Sequence, residues 1–312
     1  MGLGKGTGSD HLTELTLETA FAAYEAARGR LPSADKPGAC IRRHSLEDIA
    51  DDFDVFLLDA FGVLNIGEEP IPGVPERVAW LQSQGKKVFV VTNAAGKPNA
   101  SLEVKYAKLG YDIAPEHIIS SRKTILRALE DAQQHHWGAM LSRAAGFDDV
   151  EHLKLTRLED ETAVYGDVDA FLLLGAAEWT ETRQALLEEA LLHRPRPVWV
   201  ANPDIVAPRE DGFSSEPGRY AHRLADRTGI SPVFYGKPFA NIYDIAFEKL
   251  GPAIDRNRIV MVGDSLHTDV LGAQAAGISS ALISGFGFFG GQAVEAPISQ
   301  SGIKPDFILE RP

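Results

Sequence analysis

The chain has 312 residues, more than one compact domain usually holds and enough for two. Its formal net charge of -13 and its lack of basic stripes argue against nucleic acid as a partner. No apolar run could span a membrane, the amino terminus lacks the apolar core of a secretion signal, and the single cysteine, Cys40, excludes an intrachain disulfide. These features predict a cytoplasmic globular protein that binds neither nucleic acid nor membranes.

The first predicted element is a helix over residues 11–28, where apolar side chains recur at roughly helical spacing. Residues 1–10 are predicted to form a flexible tail, and residues 32–43 a loop, because they contain several helix and strand breakers. We therefore assign residues 1–52 to an N-terminal extension whose role the sequence does not reveal.

From residue 55 onward, short apolar runs alternate with helical patterns. Repeated strand–helix units predict a Rossmann-like α/β fold with a doubly wound parallel sheet, which binds ligands at the carboxyl ends of its strands. The predicted strands are 55–59, 87–92, 258–263 and 280–284, and the predicted helices are 75–84, 100–108 and 268–276.

The middle of the chain has a strand and helix pattern of its own. It contains predicted strands at 170–174 and 198–201 and predicted helices at 180–193 and 218–227. Because this pattern interrupts the first one, we predict an inserted α/β cap domain over residues 121–233. The core domain would then consist of residues 53–120 and 234–312.

A carboxylate stands at the end of the first strand. Asp59 follows four apolar residues, which places it at the sheet edge where a nucleophile is needed. Gly62, three residues later, allows the backbone to approach a ligand closely. A strand-capping aspartate at a turn would leave the same pattern.

Two more polar motifs come at strand ends. Thr92 and Asn93 end the second strand and can donate hydrogen bonds to phosphate oxygens, although both residues also make ordinary turns and caps. Lys237 follows a short predicted strand at 233–235 and can balance negative charge, although most lysines are solvated surface charges.

The most specific motif is the run of residues 263–269, which follows a strand and opens a helix. Asp264 at the strand end suits a hard cation such as Mg2+, which binds carboxylate, substrate and water oxygens. Asp269, one turn into the helix, is placed to hold Lys237 or a metal-bound water.

The order of these motifs resembles the haloacid dehalogenase superfamily, and the resemblance covers residues 53–312. It implies a Mg2+-dependent hydrolase, and above all a phosphatase acting on a small phosphorylated metabolite. In that family the first aspartate attacks phosphorus and forms an aspartyl-phosphate, a role that falls on Asp59. Thr92 would bind the transferring phosphoryl group, with Asn93 beside it.

The remaining roles follow from the same resemblance. Lys237 would stabilise the nucleophile and the phosphate. Asp264 would bind Mg2+ together with Asp59 and the backbone carbonyl of Phe61, while Asp269 would support the site. Phosphoryl transfer depends mostly on positioning and charge neutralisation, so one metal, one lysine and several donors are the expected parts.

The inserted position of residues 121–233 resembles the C2-capped branch of the superfamily, which includes sugar phosphatases and 4-nitrophenyl phosphatases. That branch often has an asparagine–proline–aspartate loop, and here such a loop runs from Asn202 to Asp204. Either Asn202 or Asp204 contacts a substrate hydroxyl, or the loop forms a plain Asx turn. Caps of this branch often mediate dimers, so the resemblance leaves open the formation of a homodimer through the cap domain.

One position departs from the family pattern. Phosphatases of the superfamily usually carry a second aspartate two residues after the nucleophile, which protonates the leaving oxygen and then activates water. That position is Phe61, which can do neither, and such acid–base help is worth ~10²–10⁴-fold in rate. His267 is a candidate substitute donor. The alternatives are substrates with good leaving groups, dehalogenase-like chemistry, or a phospholigand-binding or regulatory relative without activity.

Two other signals are set aside. The glycine run over residues 284–290 has the spacing of a dinucleotide fingerprint, but too few residues follow for the βαβ unit it requires. We interpret it as a mobile loop beside the site. The histidines lack the partner spacing of a zinc site.

Overall fold

The computed structural model describes residues 15–34, 36–132, 134–145, 148–210 and 212–312. None of the helices in these ranges is long and apolar enough to cross a membrane. The strands, numbered in chain order, are β1 (Ile41–Arg43), β2 (Val55–Leu58), β3 (Asn65–Ile66), β4 (Glu69–Pro70), β5 (Lys87–Thr92), β6 (Ile118–Ser120), β7 (Trp137–Met140), β8 (Leu155–Arg157), β9 (Ala170–Leu173), β10 (Val198–Val200), β11 (Val206–Arg209), β12 (Gly212–Ser215), β13 (Val233–Phe234), β14 (Ile259–Gly263), β15 (Ser279–Ile283) and β16 (Phe307–Leu309). The α-helices are α1 (Leu17–Ala26), α2 (Val74–Ser83), α3 (Asn99–Lys108), α4 (Ser121–Leu129), α5 (Thr162–Asp167), α6 (Glu181–His193), α7 (Pro217–Thr228), α8 (Ala240–Leu250), α9 (Leu271–Ala276) and α10 (Glu295–Ser301).

A seven-stranded parallel sheet has the order β1-β16-β15-β14-β2-β5-β6, which confirms the predicted α/β fold class. Strand β2 is buried on both faces: Phe56 and Leu58 belong to one apolar cluster, and Val55 and Leu57 to another. This double burial explains the uninterrupted apolar run in the sequence. Because β14, β2 and β5 are parallel neighbours, the residues that follow them meet at one edge of the sheet.

The edge strand β1 was not predicted. Residues 41–43 pair in parallel with β16, with Ile41 opposite Phe307, although the sequence indicated a loop there. All three residues of β1 are exposed, so they lack the apolar alternation by which a strand is recognised. The segment assigned to the N-terminal extension therefore contributes a strand to the main sheet.

The middle segment has a parallel sheet of its own, with the order β13-β10-β9-β7-β8. It contains both strands predicted for that segment, β9 and β10. A short antiparallel hairpin of β11 and β12 comes between β10 and β13 in the sequence. We keep the division into a core and a cap over residues 121–233 as a proposal. Strand β13, at residues 233–234, belongs to the smaller sheet by its pairing.

Two helices differ from their predicted bounds by more than one residue. The N-terminal helix runs from Leu17 to Ala26 and starts with a capping box between Thr16 and Thr19; residues 11–14 of the prediction lie outside the described residues. The helix predicted at 268–276 begins instead with a π-helical turn over Leu266–Val270, followed by α9. Such turns are frequent at functional sites, and this one carries Asp269.

We expect a buried histidine in the middle segment to make the fold sensitive to acid. The His222 side chain in α7 is 5% exposed, stacks on Phe234, and has no hydrogen-bond partner for either ring nitrogen among the described residues. Burial lowers the pKa of His222 from 6.5 to about 4, with Arg30 acting in the same direction and Asp226 against it. Between these two pH values the unfolded chain binds a proton that the folded chain does not bind. The free energy of unfolding therefore falls as the pH drops from 6.5 towards 4.

The contribution of His222 over that window is about 3 kcal/mol. Urea unfolding at neutral pH and near pH 4.5 is the measurement, with His222→Phe as the non-titrating comparison. We expect the variant to lose less of its unfolding free energy on acidification than the wild type. Equal losses would show that His222 is protonated without penalty.

Candidate active site

A cavity of about 350 Å³ opens at the carboxyl edge of the main sheet. Lys237 and Asp269 contact each other directly behind Asp59, and Gly62 lies against Asp264. The structure thus brings the predicted site residues together at one place. Those that line the cavity are Asp59, Phe61, Thr92, Asn93, Asn202, Asp204 and Asp264.

The charged centre of the site is a buried lysine between carboxylates. Lys237 Nζ lies 2.6 Å from Asp59 Oδ1 and 2.7 Å from Asp269 Oδ1. Burial alone would lower the pKa of Lys237, but Asp269 and Asp59 raise it above its usual value, so the ammonium stays charged. Burial raises the pKa of Asp59 to about 6, against the opposing effect of Lys237. The ion pairs therefore fix the orientation of Asp59 at the cavity wall.

The carboxylates are more numerous than the positive charges beside them. Asp59, Asp264 and Asp269 each have an oxygen within 4.8 Å of the others. Burial, together with the charges of Asp59 and Asp269, raises the pKa of Asp264 well above its usual value. No donor in the described part of the chain bonds the carbonyl oxygen of Phe61. A surplus of hard oxygen ligands fits a hard divalent cation such as Mg2+.

Two glycines allow the backbone to close around Asp264. Gly62 has a φ of 74°, and a Cβ at that position would lie 2.5 Å from Asp264 Oδ2; a Cβ on Gly287, with a φ of 66°, would overlap the same carboxylate. The Phe288 N–H donates to Asp264 Oδ2 at 2.7 Å, which leaves the other oxygen available. The glycine of the first motif thus makes room for a carboxylate, and the 284–290 run helps to orient it.

Asn93 joins three segments of the chain. Its Nδ2 donates to Asp204 Oδ1 at 2.8 Å and to the Lys237 carbonyl at 2.9 Å, while its Oδ1 accepts from the Lys237 N–H at 2.7 Å. Both amide hydrogens are therefore used within the protein. Asn93 therefore positions Asp204 and Lys237, and its contact with the substrate stays a prediction.

The loop at residues 202–204 forms the Asx turn that was one of its two interpretations. The Asp204 N–H donates to Asn202 Oδ1 at 2.9 Å, and Asn202 Nδ2 donates to Glu216 Oε2 at 3.2 Å. Burial raises the pKa of Asp204 to about 8. Both Asn202 and Asp204 also line the cavity, so the turn presents them to a ligand.

Thr92 and His267, which the sequence predicted as donors to the substrate, occupy different surroundings. Thr92 lines the cavity; its Oγ1 accepts from the Ala94 N–H at 3.3 Å, and its hydroxyl also interacts with the hydroxyl of Tyr106, another residue of the cavity wall. His267 is buried away from the cavity, and its Nε2 lies 2.6 Å from Glu25 Oε1 in α1. The geometry therefore does not support His267 as a substitute for the missing acid.

Three of the cavity-lining residues that sequence reasoning missed carry a hydroxyl or a positive charge close to the predicted site. Tyr24 comes from α1, Lys105 from α3 and Arg209 from β11. Lys105 Nζ lies 5.0 Å, and Arg209 Cζ 5.1 Å, from the centre of the Phe61 ring. None of the three stands at the end of a main-sheet strand, so no sequence signal marked them.

Comparison with known proteins shows the family to which the chain belongs. One family model, haloacid dehalogenase-like hydrolase, matches residues 56–149, and a second, HAD-hydrolase-like, matches residues 234–311. The chain belongs to the haloacid dehalogenase-like hydrolases. The two matched stretches include every strand of the main sheet except β1, although the first residue of β2 lies just outside them. Asp59 falls in the first stretch and Lys237 in the second.

Among curated proteins, this hydrolase is 26% identical over 226 residues to an acid sugar phosphatase of Staphylococcus haemolyticus, an alignment that covers 72% of this chain and 82% of the relative. A structure from Cytophaga hutchinsonii, described as a possible sugar phosphatase of the superfamily, has a TM-score of 0.76 and 26% identity, covering 87% of this chain and 98% of that one. A 4-nitrophenylphosphatase from Thermotoga maritima shares the fold, with a TM-score of 0.68, 22% identity, and coverage of 84% and 96%.

Proposed function

We propose that this hydrolase is a Mg2+-dependent phosphatase of small phosphate esters that acts through an aspartyl-phosphate on Asp59. The observation that carries the proposal is the placement of Lys237, 2.6 Å from Asp59 and 2.7 Å from Asp269, beside a carboxylate cluster suited to a cation. The cavity in front of Asp59 has a volume of about 350 Å³, which suits a small ligand.

In the proposed reaction, an oxygen of Asp59 attacks phosphorus while the bond to the ester oxygen breaks and its electron pair leaves on that oxygen. Lys237 and the Thr92 hydroxyl neutralise and hold the phosphoryl oxygens. Mg2+ bound by Asp59, Asp264 and the Phe61 carbonyl would supply further neutralisation of phosphoryl charge. Water then attacks phosphorus and releases Asp59 together with inorganic phosphate.

The names of the relatives support a sugar phosphate as the substrate. The organic part of such an ester would face the wall of the cavity that the middle segment supplies, where Asn202, Ser215 and Glu216 offer polar groups. These groups suit hydroxyls better than an apolar tail. A cytoplasmic location and a homodimer through the cap stay predictions.

Release of inorganic phosphate from a panel of sugar, aryl and acyl phosphates tests the proposal. We expect release with Mg2+, none with EDTA, and none from Asp59→Asn, which removes the nucleophile and keeps the side-chain shape. Circular dichroism and thermal unfolding would show that the variant is folded. No release above the Asp59→Asn background would refute phosphatase activity.

Such a result would favour a phospholigand-binding relative, the alternative that Phe61 suggests. Binding of phosphate by the Mg2+-loaded protein, measured calorimetrically, would then identify that alternative. Dehalogenase-like chemistry is less consistent with the site, because it would leave the surplus of carboxylates around Asp264 without a use.

A further inference from the structure

The N-terminal helix α1 is anchored on the motif that carries Asp264. Glu25 Oε1 lies 2.6 Å from His267 Nε2, and Tyr24 stacks on the same imidazole with ring centroids 5.0 Å apart and an interplanar angle of 9°. Phe21 meets that ring edge-on at 5.3 Å. Because Phe21, Tyr24 and His267 are all buried, these contacts hold Tyr24 in a fixed place relative to the catalytic carboxylates.

Tyr24 is part of the wall of the catalytic cavity, and its hydroxyl meets the loop that follows Asp204. The Tyr24 side chain lines the cavity together with Asp59, Asp204 and Asp264. The backbone N–H of Ile205, in the loop that follows Asp204, donates to Tyr24 Oη at 3.1 Å. Burial, with the charges of Asp204 and Asp264, raises the pKa of Tyr24, so that the hydroxyl keeps its proton at neutral pH.

The proton of this hydroxyl finds no acceptor in the part of the chain that the structure describes. An N–H can only donate, so the bond from Ile205 uses a lone pair of the oxygen and leaves the O–H of Tyr24 free. A buried donor without an acceptor is unfavourable, and buried tyrosine hydroxyls normally have one. An oxygen atom of a ligand in the cavity would satisfy it.

Other polar groups near the catalytic carboxylates have different tasks. His267 is bonded to Glu25, Asn93 has donated both amide hydrogens, and Lys237 is held between two aspartates. Ser265 Oγ is buried and unpartnered among the described residues, but it directly follows Asp264 at the cation and phosphoryl end. Tyr24 is bonded instead to the loop of the middle segment, on the side where the organic part of the ester would lie.

We propose that Tyr24 is a catalytic residue supplied by the N-terminal segment, whose hydroxyl donates a hydrogen bond to the ester oxygen of the substrate. The inference rests on the proposed phosphatase function. As the bond from Asp59 to phosphorus forms and the ester bond breaks, the electron pair moves onto the ester oxygen, and the Tyr24 hydrogen bond stabilises that charge. The leaving alkoxide then takes a proton from water, and Tyr24 keeps its own. The first half of the reaction thus retains a donor although position 61 has none.

Tyr24→Phe tests the role because it removes the hydroxyl and keeps the ring that stacks on His267. The measurement is kcat/KM for a series of phosphate esters whose leaving groups range from 4-nitrophenol to an alkyl alcohol. A poor leaving group develops more charge on the ester oxygen, so the variant should lose ~10²-fold on alkyl phosphates and far less on 4-nitrophenyl phosphate.

Tyr165→Phe is the matched control. It removes a buried hydroxyl that donates to the Glu159 carbonyl at 2.8 Å, outside the cavity, and should leave kcat/KM unchanged across the series. A Tyr24→Phe protein equal to the wild type on every ester, or slower by one common factor, would overturn the inference, since a common factor indicates a structural role. A wild-type protein that releases no phosphate would remove the proposed function itself, whatever Tyr24→Phe does.

Discussion

Lys237→Met is expected to remove most of the activity and to destabilise the folded protein in the absence of metal. Methionine has a similar length, but it leaves Asp59 and Asp269 without the ammonium that lies 2.6 and 2.7 Å from them. Removing one partner of a buried ion pair costs about 3–5 kcal/mol. The loss of a charge-stabilising group at the reacting centre lowers kcat by ~10²–10³-fold. Urea unfolding and phosphate release measure the two effects.

Added Mg2+ should restore part of the lost stability of Lys237→Met, because a cation that binds only the folded protein stabilises it and replaces some of the missing charge. Lys86→Met is the matched control. Lys86 Nζ donates to the Phe53 carbonyl at 2.9 Å, at the amino end of the sheet, away from the cavity, and this variant should keep the wild-type kcat. If both variants unfold with the same free energy, or if Lys237→Met keeps its kcat, the proposed role of Lys237 is wrong.

The parts of the site that the sequence predicted are those attached to strand ends. A parallel sheet brings the carboxyl ends of neighbouring strands together. Because Asp59, Thr92 and Asp264 each stand at the end of an apolar run, the sequence alone places them at the same edge of the sheet. The strands of the main sheet that were predicted lie within one residue of the observed bounds, because each is buried on both faces and leaves an unbroken apolar run.

The parts that could not be predicted depend on contacts between distant segments. Asn93 lies 111 residues from Asp204 and 144 from Lys237, and only the folded chain shows that its amide joins the two. Tyr24 lies 181 residues from Ile205. The helix that carries Tyr24 has the same apolar pattern whether it packs on the core or on another protein. The sequence therefore predicts the helix but not the surface against which it packs.

Phe61 raises the question of how the aspartyl-phosphate would be hydrolysed. The half-buried Phe61 ring lines the cavity between a cation of α3, Lys105, and a cation of β11, Arg209. It occupies the position where the resemblance to the superfamily leads us to expect an aspartate that activates water. Tyr24 can assist departure of the alcohol, but its raised pKa makes it no base for water. We therefore expect the second half of the reaction to be slow in the wild type.

With 4-nitrophenyl phosphate, a slow second half predicts a rapid initial release of about one 4-nitrophenolate per protein, followed by slow turnover. Phe61→Asp should place a carboxylate beside the attacking water, raise the steady-state kcat by ~10²-fold or more, and abolish the initial burst. Stopped-flow absorbance measures both quantities in one experiment.

Phe61→Asn separates the acid–base effect from the effect of removing the ring. It has the shape of Phe61→Asp without a titratable proton, and both variants lose the contacts of Lys105 and Arg209 with the ring, worth about 0.5–1 kcal/mol each at exposed sites. Those two cations would also hold a carboxylate at position 61 in its ionised form, which suits a base for water better than an acid for the alcohol. The gain should therefore be confined to the second half, and a Phe61→Asp protein no faster than Phe61→Asn, or a wild type without a burst, would refute a missing base as the cause of slow turnover.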